Sequence, residues 1–387
     1  MKRVYFDYAA STPVDPEVER AMRPYFGKIF ANPHALHRPG QEASAAVFAA
    51  RRRIAEALGA DYRELIFTGS ATEANNLAIR GAVTVAPFSR PRVVISSIEH
   101  ESVLETCRAL ERDGAEVVRV PVARDGLVDL KKLASAIDKR TVLVSVMHAN
   151  NEIGVVQPIE KIAAIVKNRR ASGSVYPLFH IDAVQSFQYL GCRPEALGVD
   201  LMTLSAHKIY GPKGAGLLYF RGLPSRRELL KPIITGSGQE FGFRSGTDNV
   251  PYIVGFAKAV EIAERLREKE SRRVRGLRDH FWRSLKAEAG TGRAVLNGSP
   301  TERLPNNLNI YFPGHAAHDL LIKLDLAGIA ASPGAACSTR VSRSSFVLEE
   351  MGFPEERASG SIRFSLGRQT KKSDIDYAVK SLYNLLN

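Results

Sequence analysis

The sequence predicts an α/β protein: a large domain on a mostly parallel sheet with helices on both faces, then a smaller α+β domain. Three observations carry this. From residue 65 to residue 220, short apolar runs of strand length alternate with stretches of helical periodicity. Polar side chains gather just past the strand ends, at Thr72, His100, Asn151, Asp182, Gln185, His207 and Lys208. Sheet packing alone does not ask for them there. A long charged helix over about 250–287 then separates the alternation from a last stretch with strands and helices of its own.

Taken in order, residues 3–8 form a short strand, and Pro16 opens a helix at its first turn that runs to about Tyr25. Residues 32–37 are a loop. Residues 40–58 place apolar side chains at helical spacing, and Gly59 caps the end. The strand Leu65–Thr68 passes through Gly69-Ser70-Ala71-Thr72 into a helix. Free backbone N–H groups at such a start, with the Thr72 hydroxyl, suit a phosphate. The glycine spacing is neither that of a Walker loop nor that of a dinucleotide fingerprint. Plain capping by Ser70 or Thr72 explains the same residues equally well at this point. Strands follow at 93–97, 116–120, 141–146, 178–182, 199–204 and 216–220, with helices over 101–112 and 158–170. The last part has strands near 307–312 and 362–365, helices at about 316–327 and 373–386, and a loop at 332–345. The expected large domain is 16–255. The small one takes 256–387 together with 1–15, whose short strand returns to it.

Composition bounds the function. The chain has 387 residues, 44% hydrophobic and 25% charged, as a folded protein does. No apolar run approaches the roughly 20 residues of a membrane span, and no signal-peptide pattern follows Met1. Cys107, Cys192 and Cys337 are too few and too scattered for a disulfide framework, so a cytoplasmic location is expected. The net charge of +13 suggests anionic partners. Runs such as Arg51-Arg52-Arg53 and Arg272-Arg273-Val274-Arg275 lack interleaved aromatic residues and read as solvated helix faces. Direct nucleic-acid binding is therefore not expected. Nor is a metal: the pairs His34/His37 and His315/His318 lack a third ligand at a recognisable spacing.

The stretch Ser205-Ala206-His207-Lys208-Ile209-Tyr210-Gly211-Pro212-Lys213-Gly214 lies between two apolar runs. Lys208 leaves a strand end, where α/β proteins build their sites. A half-buried amine loses its proton more readily and can attack a carbonyl. In these ten residues alone a surface lysine in a hairpin is an equal reading. The wider set decides: a lysine for a Schiff base, an aspartate for a pyridine nitrogen, an imidazole to stack on a ring, and hydroxyls at a helix start for one phosphate. Those are the parts of a pyridoxal phosphate site.

Across almost its whole length the chain resembles the cysteine desulfurases of the class-V aminotransferase superfamily, which have the type I fold of pyridoxal phosphate enzymes and a sheet of the seven-stranded type. The motifs that carry the resemblance, in order, are Asp7-Tyr8-Ala9-Ala10-Ser11-Thr12, Gly69-Ser70-Ala71-Thr72-Glu73-Ala74-Asn75-Asn76, Glu99-His100 and His148-Ala149-Asn150-Asn151-Glu152-Ile153-Gly154. They continue through His180-Ile181-Asp182-Ala183-Val184-Gln185-Ser186, the Lys208 stretch, Arg244-Ser245-Gly246-Thr247, Gly334-Ala335-Ala336-Cys337-Ser338 and Ile362-Arg363-Phe364-Ser365-Leu366-Gly367-Arg368. The resemblance implies that Lys208 links covalently to the cofactor, Asp182 pairs with the pyridine nitrogen, Gln185 bonds the ring hydroxyl and His100 stacks on the ring. It implies that Ala71, Thr72, Ser205 and His207 hold the phosphate, with Thr247 reaching the phosphate of the other subunit of a homodimer. Asn151 and Arg363 take the carboxylate of L-cysteine, a natural task for a guanidinium fork.

Cys337 separates a desulfurase from its cousins. It lies in Ser332-Pro333-Gly334-Ala335-Ala336-Cys337-Ser338-Thr339-Arg340, a run of small residues without apolar periodicity, and Arg340 and Arg343 favour a thiolate. The implied reaction takes sulfur from L-cysteine, releases alanine and leaves a persulfide on Cys337 for an acceptor protein. Cys107 and Cys192 read as buried structural residues. The segment after Cys337 is more basic than in housekeeping iron–sulfur desulfurases, and the chain ends at Asn387 without the C-terminal extension those usually carry. Iron–sulfur assembly and tRNA or DNA thio-modification both stay open as destinations. Two rivals also stay open: a selenocysteine lyase or other class-V aminotransferase, and a basic nucleic-acid-binding protein with a degenerate cofactor site.

Overall fold

The computed structural model describes residues 2–290, 292–334 and 344–387. Its strands are β1 (Val4–Tyr5), β2 (Leu65–Thr68), β3 (Arg92–Ser96), β4 (Glu116–Val120), β5 (Thr141–Ser145), β6 (Leu178–Asp182), β7 (Leu201–Ser205), β8 (Gly216–Phe220), β9 (Val295–Leu296), β10 (Asn307–Tyr311), β11 (Ile329–Ala330), β12 (Ser332–Pro333) and β13 (Ser361–Ser365). Seven of them form the large sheet in the order β2-β8-β7-β6-β5-β3-β4. Only β8 runs against its neighbours, so the predicted mostly parallel sheet is what forms. Along β3, Val93 and Ile95 face one hydrophobic core and Val94 faces the other. That period of two, buried on both sides, is why the strands read as continuous apolar runs.

The parallel strands, with β2, end on one edge of the sheet. That edge therefore collects Ala71 and Thr72, His100, Asn151, Asp182 and Gln185, and Lys208. The turn that carries Lys208 joins β7 to β8, with Ser205 opposite Gly216. Gly216 also pairs with Thr68 of β2. A Cβ on Gly216 would come 2.3 Å from the carbonyl carbon of Ser70, so only glycine lets the start of the next helix approach the lysine turn so closely.

The second sheet, β12-β13-β10-β9, is antiparallel, and β1 pairs with β11 beside it. Phe6, Phe281 and Phe364 pack edge-on or tilted in the core between them, with ring centroids 5.2–6.4 Å apart. The helix Val250–Ala289 serves both regions. Its side chains from Val250 to Ala263 belong to the large core, and those from Val274 onward to the small one. Packing thus changes hands further along the helix than 255/256, where the sequence reading puts the boundary. Asp7 bridges to Ser365, which lays the N-terminal segment against β13.

Local differences have local causes. The helix expected from Pro16 to Tyr25 stops at Met22 and restarts at Pro24, because proline has no N–H for the helix ladder. Strand β7 starts two residues later than predicted, after Gly198 turns the chain at φ 68°. The helix Leu130–Ala136 is absent from the sequence reading.

Candidate active site

A cavity of about 300 Å³ opens at the sheet edge. Among its lining residues are Ala71, Thr72, His100, Asn151, Asp182, Gln185, Ser205, His207, Lys208 and Arg363. These are the predicted site residues other than Thr247 and Cys337. Thr247 is exposed and stands outside this cavity. Cys337 lies outside the described residues. Among those described, no group of His, Cys, Asp and Glu side chains converges as a metal site, and no helix is long and apolar enough to cross a membrane.

The N-terminal segment lies over the lysine. Lys208 Nζ donates to the carbonyls of Ala9 and Ala10, each at 2.7 Å, and Gln185 Nε2 donates to Ala9 O at 3.0 Å. Thr12 braces the turn from the same segment: its Oγ1 accepts from Tyr210 N at 2.9 Å and donates to His207 O at 3.0 Å. Tyr210 holds φ 68°, a left-handed conformation that costs a bulky residue energy. The Tyr210 hydroxyl accepts from Arg368 N at 2.7 Å, and the Arg368 guanidinium lies 4.0 Å from the ring centroid. Long-range contacts thus hold the strained turn.

Beside the lysine a hydrogen-bonded chain crosses the pocket. Asp182 Oδ1 accepts from Val184 N at 3.0 Å, and Oδ2 from Asn75 Nδ2 at 2.9 Å. Asn75 Nδ2 also reaches Ser102 Oγ at 2.8 Å, and Ser102 Oγ lies 2.8 Å from His100 Nδ1. Ser102 N donates to that same Nδ1 at 3.1 Å, so Nδ1 is an acceptor and the neutral ring carries its proton on Nε2. Sequence reasoning gave Asn75 and Ser102 no role. A polar residue on the buried stripe between Ala74 and Ala78 was the available signal. His180, two residues before Asp182 and on the same face of β6, joins Ser145 Oγ at 2.8 Å to Thr203 Oγ1 at 3.1 Å. Burial lowers it to about 4, and it stays neutral under the aspartate.

At the other end of the pocket, Ser70 Oγ caps Glu73 N at 3.1 Å, and Ala71 and Thr72 line the cavity just ahead of the capped group. Glu73 accepts from Gly69 N at 2.8 Å and from Arg244 Nε at 2.9 Å, which ties the Arg244–Thr247 segment to this cradle. Burial, helped by the charges of Lys208 and Lys213, lowers His207 to about 4. Its Nδ1 is buried without a hydrogen-bond partner among the described residues.

The facing wall belongs to β13. Arg363 is 1% exposed and donates through Nη1 to Asn151 O at 2.8 Å and Gly334 O at 3.2 Å, and through Nη2 to Asp7 Oδ1 at 2.7 Å. Two carboxyls lie buried behind the walls. Glu99 Oε1 accepts from Met147 N at 2.8 Å and from Ser96 Oγ, and burial, with the charge of Asp182, pushes it up to about 8. Glu152 is also held above the usual carboxyl range, chiefly by burial. Cys107 and Cys192 are buried, and burial pushes their thiols up to about 12 and about 11, as inert structural thiols require.

These donors fit pyridoxal phosphate. One cavity is lined by an amine, a carboxylate, a helix start with hydroxyls, an imidazole whose Nδ1 meets no partner among the described residues, and a buried guanidinium.

Comparison with known proteins agrees. The family model described as aminotransferase class-V matches residues 4–378. A cysteine desulfurase IscS of Dictyoglomus turgidum is 42% identical over 387 residues, 100% of this chain and 95% of that one. A solved NifS-like protein matches with a TM-score of 0.91 at 35% identity, covering 100% of this chain and 99% of the other. The structure of SspA in complex with cysteine matches with a TM-score of 0.78 at 34% identity, covering 94% and 98%.

Proposed function

The chain belongs to the class-V aminotransferase family, and we infer from that membership and from the site that it is a pyridoxal phosphate-dependent cysteine desulfurase. One observation carries the reading: a single cavity gathers Lys208, Asp182 and His100 from three strand exits together with Arg363 from β13.

When bound, the cofactor supplies the electron sink that lets bonds at the substrate's carbons break. Lys208 Nζ would anchor it covalently and would supply a base for moving a proton on the substrate. Asp182, fixed by Asn75 and Val184 N, would pair with the ring nitrogen and keep it protonated. His100 would stack on the ring, and Ser102 N fixes the orientation of its imidazole through Nδ1. Ala71, Thr72, Ser205 and His207 hold the phosphate, and Gln185 the ring hydroxyl. Arg363 and Asn151 take the carboxylate of L-cysteine. The Cys337 thiolate attacks the substrate sulfur, and the C–S bond breaks with its electron pair on carbon. Protonation of that carbon gives alanine, and a persulfide remains on Cys337. An acceptor protein of iron–sulfur assembly, or of tRNA or DNA thio-modification, then removes the sulfur.

A homodimer with shared sites completes the reading. Phe26, Phe30 and Leu36 are 61%, 78% and 93% exposed, an apolar surface on one short stretch of chain. His34 in that stretch contacts Asp248 at 3.0 Å, next to Thr247. A second subunit covering this surface would receive Thr247 at its phosphate cradle. The cytoplasm, with its reduced thiols, suits the reaction.

Mass spectrometry after incubation with L-cysteine tests the proposal. Alanine release and a 32-Da increment on the Cys337 peptide are expected, about the mass of one sulfur atom. Cys337→Ala should lose the increment and most alanine release. Full alanine and sulfide release by that variant would overturn the reading.

A further inference from the structure

Glu152 has no part in the chemistry above, yet its carboxyl is wholly buried, 1% exposed, at the edge of the substrate wall. A carboxyl is costly to bury and needs partners. Its backbone is fixed from both domains. Asn150 Oδ1 accepts from Glu152 N at 2.8 Å, and Glu152 O accepts from the side chains of Asn307 and Asn309 on β10, each at 3.2 Å. Its side chain points at two places far apart from it in sequence. Ser345 Oγ donates to Glu152 Oε2 at 2.5 Å. Gly334 lies so close on the other side that a Cβ there would be 2.2 Å from the same Oε2 and 3.2 Å from Ser345 Oγ.

Gly334 and Ser345 flank the stretch of chain that contains Cys337. We propose that Glu152 is a positioning residue for the sulfur-accepting thiol: its carboxyl packs against Gly334 and accepts from Ser345, and so fixes the roots of the chain that carries Cys337. The inference rests on the desulfurase reading for the task of that thiol, and on described residues alone for the joint.

Three further features support it. Gly334 O is also held by Arg363 Nη1 at 3.2 Å, so the first root and the proposed substrate guanidinium share a hydrogen bond. Cys337 is three residues from Gly334, and three residues of chain span at most about 11 Å. The root that Arg363 also holds is thus the one nearer to Cys337 in the chain. Ser345 does a second local job as N-cap of the helix Phe346–Glu350, accepting from Leu348 N at 3.3 Å. The other root thus leads at once into an element packed on the large core through Val347 and Leu348. A side chain at Gly334 would displace the carboxyl, which explains the glycine there.

The test uses the holoenzyme with Glu152→Ala, Glu152→Gln and Ser345→Ala. Glu152→Ala should leave the change in cofactor absorbance on adding L-cysteine, and KM, within about threefold of wild type. Its kcat should fall by about 100-fold, the scale of a misplaced reacting group. Glu152→Gln keeps an acceptor for Ser345 and should recover most of the loss. Trypsin cleavage after Arg340 and Arg343, followed by mass spectrometry, reads the joint without turnover. It should speed up about tenfold in Glu152→Ala and Ser345→Ala, as the loss of one buried hydrogen bond implies. Wild-type kcat and wild-type cleavage in Glu152→Ala would overturn the proposal. So would Glu152→Ala and Glu152→Gln losing activity and melting temperature alike. If Glu152→Ala does not fold, Ser345→Ala decides by the same two readouts. A wild-type protein that forms no persulfide would sink the desulfurase reading, while the cleavage arm would still judge the joint.

Discussion

The two walls of the cavity are built on different principles. On the large-domain wall, most polar groups already have fixed partners. Asp182 is held by Asn75 and Val184 N, His100 by Ser102, and Lys208 by two carbonyls. On the β13 wall one guanidinium is divided among Asp7, Asn151 O and Gly334 O. Arg363 has five N–H donors and its Nε meets no partner among the described residues, so a substrate carboxylate finds donors still open there. The first wall is pre-organised for something that stays, and the second is held ready for something that comes and goes. Damage to the first should therefore appear in the cofactor's spectrum and in kcat, and damage to the second in KM.

The largest effect tests the first wall. Lys208→Ala should abolish the visible absorbance of the covalently linked cofactor and lower alanine release by about 1,000-fold, within the range lost with a catalytic acid–base group. The other contacts of the pocket should still retain free cofactor. If only KM changed, the contrast between the walls would be wrong.

Arg363→Lys probes the second wall. The change keeps the charge and loses the planar fork. KM for L-cysteine should rise between about 10-fold and 100-fold, the value of a charge-assisted hydrogen bond of roughly 1.5–3 kcal/mol. The cofactor spectrum should be unchanged. Steady-state kinetics and an absorbance scan decide together: a variant stripped of its cofactor with an ordinary KM would show that Arg363 holds the first wall up as well.

The same contrast governs what was legible in the sequence. The large-domain wall hangs on strand ends, and β2, β4, β6 and β8 lie at the predicted residues because short buried strands read as apolar runs. An apolar run carries no direction, so nothing in Gly216–Phe220 says that β8 is antiparallel. Asn75 and Ser102 went without roles because one polar side chain within an amphipathic helix looks like packing until its partner is seen across the sheet. The second wall needs Arg363 to meet Asp7 and Glu152 to meet Ser345. Such pairings join residues far apart in the chain, and no local periodicity encodes them. The two-residue strands β9, β11 and β12 are likewise too short to leave a pattern.

The smallest effect concerns the buried carboxyl behind the first wall. Glu99 Oε2 is buried without a partner among the described residues while Oε1 takes Met147 N and Ser96 Oγ. Burial, with the charge of Asp182, pushes it from 4.5 to about 8. Between those values the folded protein keeps a proton that the unfolded chain has released. Stability attributable to Glu99 is therefore full below pH 4.5 and falls as pH rises toward 8, by up to about 1.4 kcal/mol per pH unit. His148, His180 and His207, each lowered from 6.5 to about 4, act in the opposite sense: they add stability as pH rises from 4 to 6.5 and are neutral in both states above that. The range from pH 6.5 to 8 thus frees the Glu99 slope from the histidines. Glu152 and Glu240, also raised by burial, slope the same way in any variant and cancel in a comparison. Glu99→Gln keeps an acceptor for Met147 N and removes the titration. Urea unfolding across this range should show wild type losing stability with pH faster than Glu99→Gln, by roughly one proton's worth. Parallel slopes would mean that Glu99 is ionised in the fold and adds a charged carboxylate behind the first wall.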